Sequence, residues 1–548
     1  MKTVLIIGGY GQFGGRLSRR LRKTPELKVL VGGRTMSKAA ALCEIYKGNL
    51  EPVLFDSKGD LDTQLKTLSP WLVVDAAGPF QAKFRAGYGL AKACITRGIH
   101  YIDLSDSGPF TQGIADLDAA AKQTNAAVIS GASSVPALSS AVVDAAQNQF
   151  SQIDSIEGGI SPGGKIDIGL SVTQAVLSYL GRPLKIFRGG VWESETGYSR
   201  VHKHTIALEG EKPLRRWFGL CEAPDEILFP DHYKGVQTVR FYGSQELWVI
   251  HQSIVILAWL QKRGFVKNLD KRAKFFAWWG TQLGKFASER GGMFMMIKGK
   301  DKAGADISQQ WNLIASEGDG PFIPILAAEI LISRWMNAAP TSGARSAVSE
   351  ITLAEFEAMF KSLAIKSEFA APRPALPVFR QVLGESYAAL PAALQTGHEV
   401  TSYKTMTGRV DITRGKNPLT HLAANIIGFA KAQKDAPISV TMDVRGNTEI
   451  WTRTIGTTNF KSVLSPGSSP YEVFEKFGPV KFKMLFRVDD NKLHYDIIGA
   501  CMFGMPLPKF LRPKSVTHER EENGKFIFDV DTALPLLGRL IAYKGWLE

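Results

Sequence analysis

Three glycines stand at positions 9, 11 and 14, within the run Gly9-Tyr10-Gly11-Gln12-Phe13-Gly14. An apolar stretch, residues 2–7, precedes them, and a basic segment with Leu17 and Leu21 one helical turn apart follows. Between a strand and a helix, this spacing fits a phosphorylated dinucleotide. Gly9 permits the tight turn, Gly11 lets the main chain approach a pyrophosphate, and Gly14 lets helix and strand pack closely. The helix start offers N–H groups and a positive dipole end to the phosphate. Tyr10, Gln12 and Phe13 complete the expected loop. Twenty residues past Gly14, where a carboxylate would hold an unphosphorylated ribose, stands Arg34, followed by Ser37 and Lys38. A guanidinium stacks on adenine and pairs with a 2′-phosphate, so the expected cofactor is NADP rather than NAD. Asp56, after the apolar run 52–55, is an expected adenine-side contact, with a strand-end turn as the plainer alternative. Residues 71–75 break into Ala76-Ala77-Gly78-Pro79. Small residues at a strand's carboxyl end let a cofactor lie against the backbone, which makes Ala77, Gly78 and Pro79 the expected nicotinamide side.

Reduction by a nicotinamide needs a proton source beside the developing anion. Tyr101, Asp103 and Asp106 follow a strand that should end near that point. An Asp after a strand more often caps a turn, so no catalytic residue is assigned. His202 and His204 share a strand face, but no third ligand stands at metal spacing, and no metal is expected. Cys43, Cys94, Cys221 and Cys501 lie far apart with no CxxC, which argues against a disulfide framework or a zinc site.

The elements that must position these residues alternate strand and helix, which reads as a doubly wound parallel sheet, an α/β fold. With residues 4–14, Gly33-Arg34, Ala77-Gly-Pro-Phe80, residues 98–103 and the turn 131–136 in order, the first 140 residues resemble the NADP-binding domain of the saccharopine dehydrogenase-like superfamily. The resemblance implies a Rossmann domain over 1–145, completed by 318–361, with a second α/β domain on the substrate side over 146–317. It also implies oxidoreductase chemistry on amino-acid C–N bonds or on lipid-like substrates. No amino-acid carboxylate-binding arginines can be matched residue by residue, so saccharopine itself is not implied.

Residues 362–377, with Pro372, Pro374 and Pro377, read as a linker. Beyond it, residues 378–548 hold an expected helix at about 379–394 and then strands with turn signals at 445–447, 489–491 and 522–524, an antiparallel, curved, β-rich domain. Residues 449–453, 504–508 and 538–545 resemble a bacterial domain of unknown function found fused to such reductases. Trp451, Arg453 and Glu519 could line a pocket there or form a cross-strand ladder.

The 548 residues carry a net charge of +14 without an Arg-rich arm, which excludes an obvious nucleic-acid binder and suits anionic ligands. Residues 261–290 hold eight Lys/Arg against two acids, with Trp278 and Phe275 amid Lys267, Lys271 and Lys274. That pattern suits peripheral membrane contact, unless the helix is covered and its aromatics buried. The longest apolar stretch, 253–260, is far short of the roughly 18 residues that span a bilayer, so a cytoplasmic protein is expected. The combined expectation is an NADP(H)-dependent oxidoreductase acting on a carbonyl, imine or enoyl group of a small molecule, lipid-like ones included. The alternative is an NADPH sensor or lipid carrier without turnover. Oligomeric state is not legible.

Overall fold

The computed structural model describes residues 1–166 and 169–548. Two compact units, Met1–Arg373 and Pro374–Glu548, divide the chain.

In the first unit, strands β1 (Lys2–Ile7), β2 (Leu27–Gly33), β3 (Leu50–Leu54), β4 (Leu72–Asp75), β5 (His100–Asp103) and β6 (Ala127–Ser130) form a parallel sheet in the order 6-5-4-1-2-3. Gly343–Ser346 adds a seventh parallel strand beside β6. The central strands are largely apolar because both faces are covered. Val4 and Ile6 pack into one core with Leu17 and Leu21, while Leu5 and Ile7 enter another with Leu65, Leu90 and Ile95.

After the helix Ser139–Ala146 the chain builds a second, mixed sheet. Its centre is Gln152–Ser161, parallel to Thr238–Gln245 and antiparallel to Gly291–Lys300. The helix Ile323–Asn337 then leads back to the first sheet. Residues 362–377 are not wholly a linker. Ile365–Phe369 is a strand of the second sheet, paired to Asp306–Ala315. Ile365 is buried and Lys366 and Glu368 are exposed, an alternation that ends before the prolines begin.

The basic aromatic segment is also not one helix. Gly264 (φ +81°) and Asn268 (φ +54°) interrupt it, leaving helices Trp248–Lys262 and Ala273–Gly284 joined by residues 263–272, of which Leu269–Arg272 form a 3-10 turn. Leu269 and Ala273 are buried in a small helical core, whereas Trp259, Phe275, Trp278 and Trp279 are about half exposed. Among the described residues no helix is long and apolar enough to cross a membrane.

The second unit is an antiparallel sheet of long strands that closes on itself. From Val480–Asp489 the order runs through Glu472–Phe477, Thr458–Pro466, Thr448–Ile455, Gln433–Arg445, Tyr403–Arg414, Gly538–Leu547, Lys525–Leu534, Lys514–Glu522 and Lys492–Met502, which pairs again with Val480–Asp489. The curved sheet expected from the sequence is thus a ten-stranded barrel, which leaves few strand edges unpaired. Alternate residues Ala436, Ile438, Val440, Met442 and Val444 point inward. The three turn signals are two-residue hairpin loops with positive φ at Gly446, at Asp490 and Asn491, and at Asn523 and Gly524. The single helix expected near 379–394 is instead Val378–Leu383, a tight turn, and Ala392–His398. Gly384 (φ +54°) and the extended Pro391 break it.

Candidate active site

The glycine loop joins β1 to helix α1 (Gly14–Leu21). A Cβ on Gly14 would fall 2.3 Å from the Gly8 carbonyl oxygen, and one on Gly9 would lie 2.8 Å from the Ile6 oxygen. Both positions are closed to any side chain by backbone. Gly11 differs, since its Cβ would meet only the Gly8 oxygen, at 3.0 Å, and otherwise open space. That is the cradle a pyrophosphate requires, with main chain at the surface and no side chain above it. The helix begins at Phe13 with no side-chain cap and no acid in its first turn, which leaves its positive end available to an anion. Gln12 is held by Arg16, whose guanidinium donates to its main-chain oxygen at 2.6 Å and to its side-chain oxygen at 2.7 Å.

Tyr10 does not simply extend the loop. Its ring occupies the space a Cβ on Gly33 would need, at 2.4 Å, and its hydroxyl accepts the Thr35 N–H at 3.1 Å. The end of β2 is thereby pinned to the glycine loop, and Arg34 emerges there exposed. Ser37 and Lys38 lie beside it, exposed, in the first turn of helix Met36–Tyr46, which carries no side-chain cap and no acid at its start. Asp56 is exposed, and its Oδ1 accepts the Lys58 N–H at 3.0 Å, so the strand-end turn already engages it.

Ala77, Gly78 and Pro79 follow β4 and are partly exposed. The buried Asp75 brackets them: Oδ1 accepts the Ala77 N–H at 3.1 Å, and Oδ2 pairs with Lys83. The segment opening helix Leu170–Tyr179 of the second sheet's domain reaches this edge. Ser171 Oγ donates to the Gly78 oxygen at 3.3 Å, and a Cβ on Gly169 would touch Gln12 Cγ at 2.9 Å. The glycine loop and the Gly78 turn therefore share one cover.

Of the titratable candidates, Tyr101 is fully buried with its hydroxyl 3.4 Å from Asp75, and burial raises its pKa far above the ordinary value. Asp103 is buried too, accepting from Ser130 Oγ (2.9 Å), Gly131 N–H (2.9 Å) and Ser105 N–H (3.0 Å). It ties β5 to β6, and burial pushes its pKa up to about 7 against those bonds. Both serve the scaffold. Asp106 is different: it accepts from Gln81, two residues past Pro79, at 3.4 Å, and lies close enough to Glu222 for the two charges to repel. Burial, then that repulsion, pushes Glu222 up to about 7, while Ser107 Oγ, 3.5 Å away, opposes the shift. Glu222 follows the strand Leu214–Leu220 of the second sheet, and local motifs gave no pointer to it beyond the acidic run 222–226. The pair can hold one proton near neutral pH beside the Gly78 turn.

The remaining candidates are structural. His204 stacks on Phe294 at 3.8 Å, and burial lowers its pKa to about 4; His202 packs edge-on against Tyr242 at 4.6 Å. Among the described residues no cluster could hold a metal, and the four cysteines are free.

Residues 4–133 match the family model of the saccharopine dehydrogenase NADP binding domain. The chain carries that domain. Residues 390–547 match a domain of unknown function, DUF4166. By that match residues 4–133 form a nicotinamide-dinucleotide-binding domain of the dehydrogenase type. Similar solved structures include apo saccharopine dehydrogenase (L-Glu forming) from Saccharomyces cerevisiae, at 13% identity and TM-score 0.48, covering 68% of this chain and 100% of that one. A mutant meso-dapdh from Clostridium tetani shows 13% identity and TM-score 0.33, covering 66% and 99%. No curated protein matches the chain.

Proposed function

We propose that this saccharopine dehydrogenase-like chain is an NADP(H)-dependent oxidoreductase that transfers hydride to or from a carbonyl, imine or enoyl group of a small molecule. The bound cofactor would supply the hydride. Main chain from Gly9 to Gly14 would hold its pyrophosphate, with Tyr10, Gln12 and Phe13 shaping the loop. Ala77, Gly78 and Pro79 would back its nicotinamide, while the Asp106–Glu222 pair would give or take the proton that balances the hydride at the substrate's oxygen or nitrogen.

The observation that carries NADP over NAD is the exposed group of Arg34, Ser37 and Lys38 beside an uncapped helix start, set in place by the Tyr10–Gly33 contact. A ribose 2′-phosphate there gains charge-assisted bonds that a 2′-hydroxyl cannot make. Arg34→Ala is expected to weaken NADPH binding about 10- to 100-fold and leave NADH within about twofold, the size of losing one or two such bonds. A fluorescence titration of both nucleotides checks this. An unchanged preference removes Arg34 from the reading.

A further inference from the structure

The C-terminal barrel encloses a cavity of about 420 Å³. Its wall is apolar almost throughout, and its volume falls within the range of about 300–1,000 Å³ typical of small-molecule sites. The helices Val378–Leu383 and Ala392–His398 sit at one end, where Phe379 stacks on His398 and reaches the cavity. At the other end, residues 502–513 and 534–538 contribute Met502, Leu507, Leu511 and Leu537 to the wall. The same two segments expose Phe503, Met505, Phe510 and Leu536, the last at 97%. Helix Pro418–Ile427 repeats the pattern, with Ala423 and Ile427 lining the cavity and Leu419 and Leu422 more than half exposed. Single exposed apolar residues need no explanation, but a group of them around the entrance to a dry cavity marks a place where an apolar molecule enters.

The charged groups inside decide what kind of molecule it is. Arg453 donates to Ser462 Oγ at 2.8 Å, pairs with Glu475 at 3.4 Å and lies over the Trp451 ring at 5.2 Å. Glu519 lies 2.7 Å from His398 Nε2. The guanidinium therefore already has its counter-charge, and a carboxylate entering the cavity would stand as an uncompensated anion beside Glu475 and Glu519. Such an ion loses far more on leaving water than an uncharged head does. Two hydroxyls of the wall, those of Tyr495 and Tyr543, have no hydrogen-bond partner among the described residues; the first faces Glu519, which leaves the hydroxyl of Tyr543, on a buried side chain packed against Phe460 and Phe429, for a ligand. An unmet buried hydroxyl is the position a ligand hydroxyl or carbonyl would satisfy.

We infer that the barrel binds a neutral, elongated lipid with a single hydroxyl or carbonyl head, admitted through the apolar rim and hydrogen-bonded to Tyr543. Such binding would be a property of the barrel and stands or falls independently of the nicotinamide reading.

The test uses the full chain loaded with the neutral fluorophore N-phenyl-naphthylamine and displaced by dodecanol, dodecanoate or dodecane near pH 8. Dodecanol should bind at least tenfold more tightly than dodecanoate. Tyr543→Phe should weaken dodecanol about fivefold or more and leave dodecane unchanged, which separates a lost hydrogen bond from a damaged wall. Ala423→Trp, on the partly exposed entrance helix, should block all of the ligands while preserving the barrel's circular dichroism. No fluorophore uptake, tighter binding of dodecanoate, or equal effects of Tyr543→Phe on dodecanol and dodecane would each overturn the inference.

Discussion

Replacing Glu222 by Gln is expected to lower kcat for NADPH-dependent reduction by about 100- to 10,000-fold, the usual contribution of a positioned acid, with cofactor binding kept. The acid form must be present to donate. Because burial and Asp106 raise Glu222 to about 7, the wild-type rate should be level below that value and fall about tenfold per pH unit above it. The limb should vanish in Glu222→Gln. Asp106→Asn provides the sharper check. It removes the like charge that raises Glu222, so the limb should move to lower pH while the reaction survives. A limb that stays in place in Asp106→Asn would show that the two carboxyls do not act as a pair.

Gly11→Ala should weaken NADPH binding about 100-fold, and it should do so without unfolding the domain. The added methyl has only the Gly8 oxygen near it and otherwise projects into the space left for pyrophosphate. Gly14→Ala should also abolish tight binding, but through the protein itself. Its methyl would sit 2.3 Å from the Gly8 oxygen, so α1 must move off the turn, and overpacking of this kind costs about 1–3 kcal/mol. Thermal melts separate the two. Gly14→Ala should lower the melting temperature of the N-terminal unit and Gly11→Ala should not. If both variants bind NADPH like the parent, the loop does not hold the pyrophosphate.

What the sequence disclosed was whatever is encoded locally. The strand–glycine–helix start is legible because the turn, the close approach and the helix contact fall within seven residues, and Arg34 is legible because the β2 end lies a fixed step beyond. The role of Tyr10 in pinning that end was not legible, since it depends on Gly33 of the neighbouring strand leaving room for a ring. Glu222 was hidden for a stronger reason. It follows a strand of the second sheet, and only the path of the chain through that sheet brings it to Ser107 and Asp106. Breaks at Gly264, Asn268 and Gly384 turned expected single helices into pairs, because apolar periodicity persists across a residue of positive φ. The barrel's hairpins were signalled turn by turn, but its closure rests on the pairing of Lys492–Met502 with both Val480–Asp489 and Lys514–Glu522, which no local pattern specifies.

Cofactor binding by the glycine loop is tested most directly by an isothermal titration of the whole chain with NADPH and, separately, with NADH. One saturable site should take NADPH at least tenfold more tightly than NADH, the margin a 2′-phosphate gains from Arg34 and its neighbours. No heat from either nucleotide would contradict the site itself, and a preference for NADH would contradict the role assigned to Arg34.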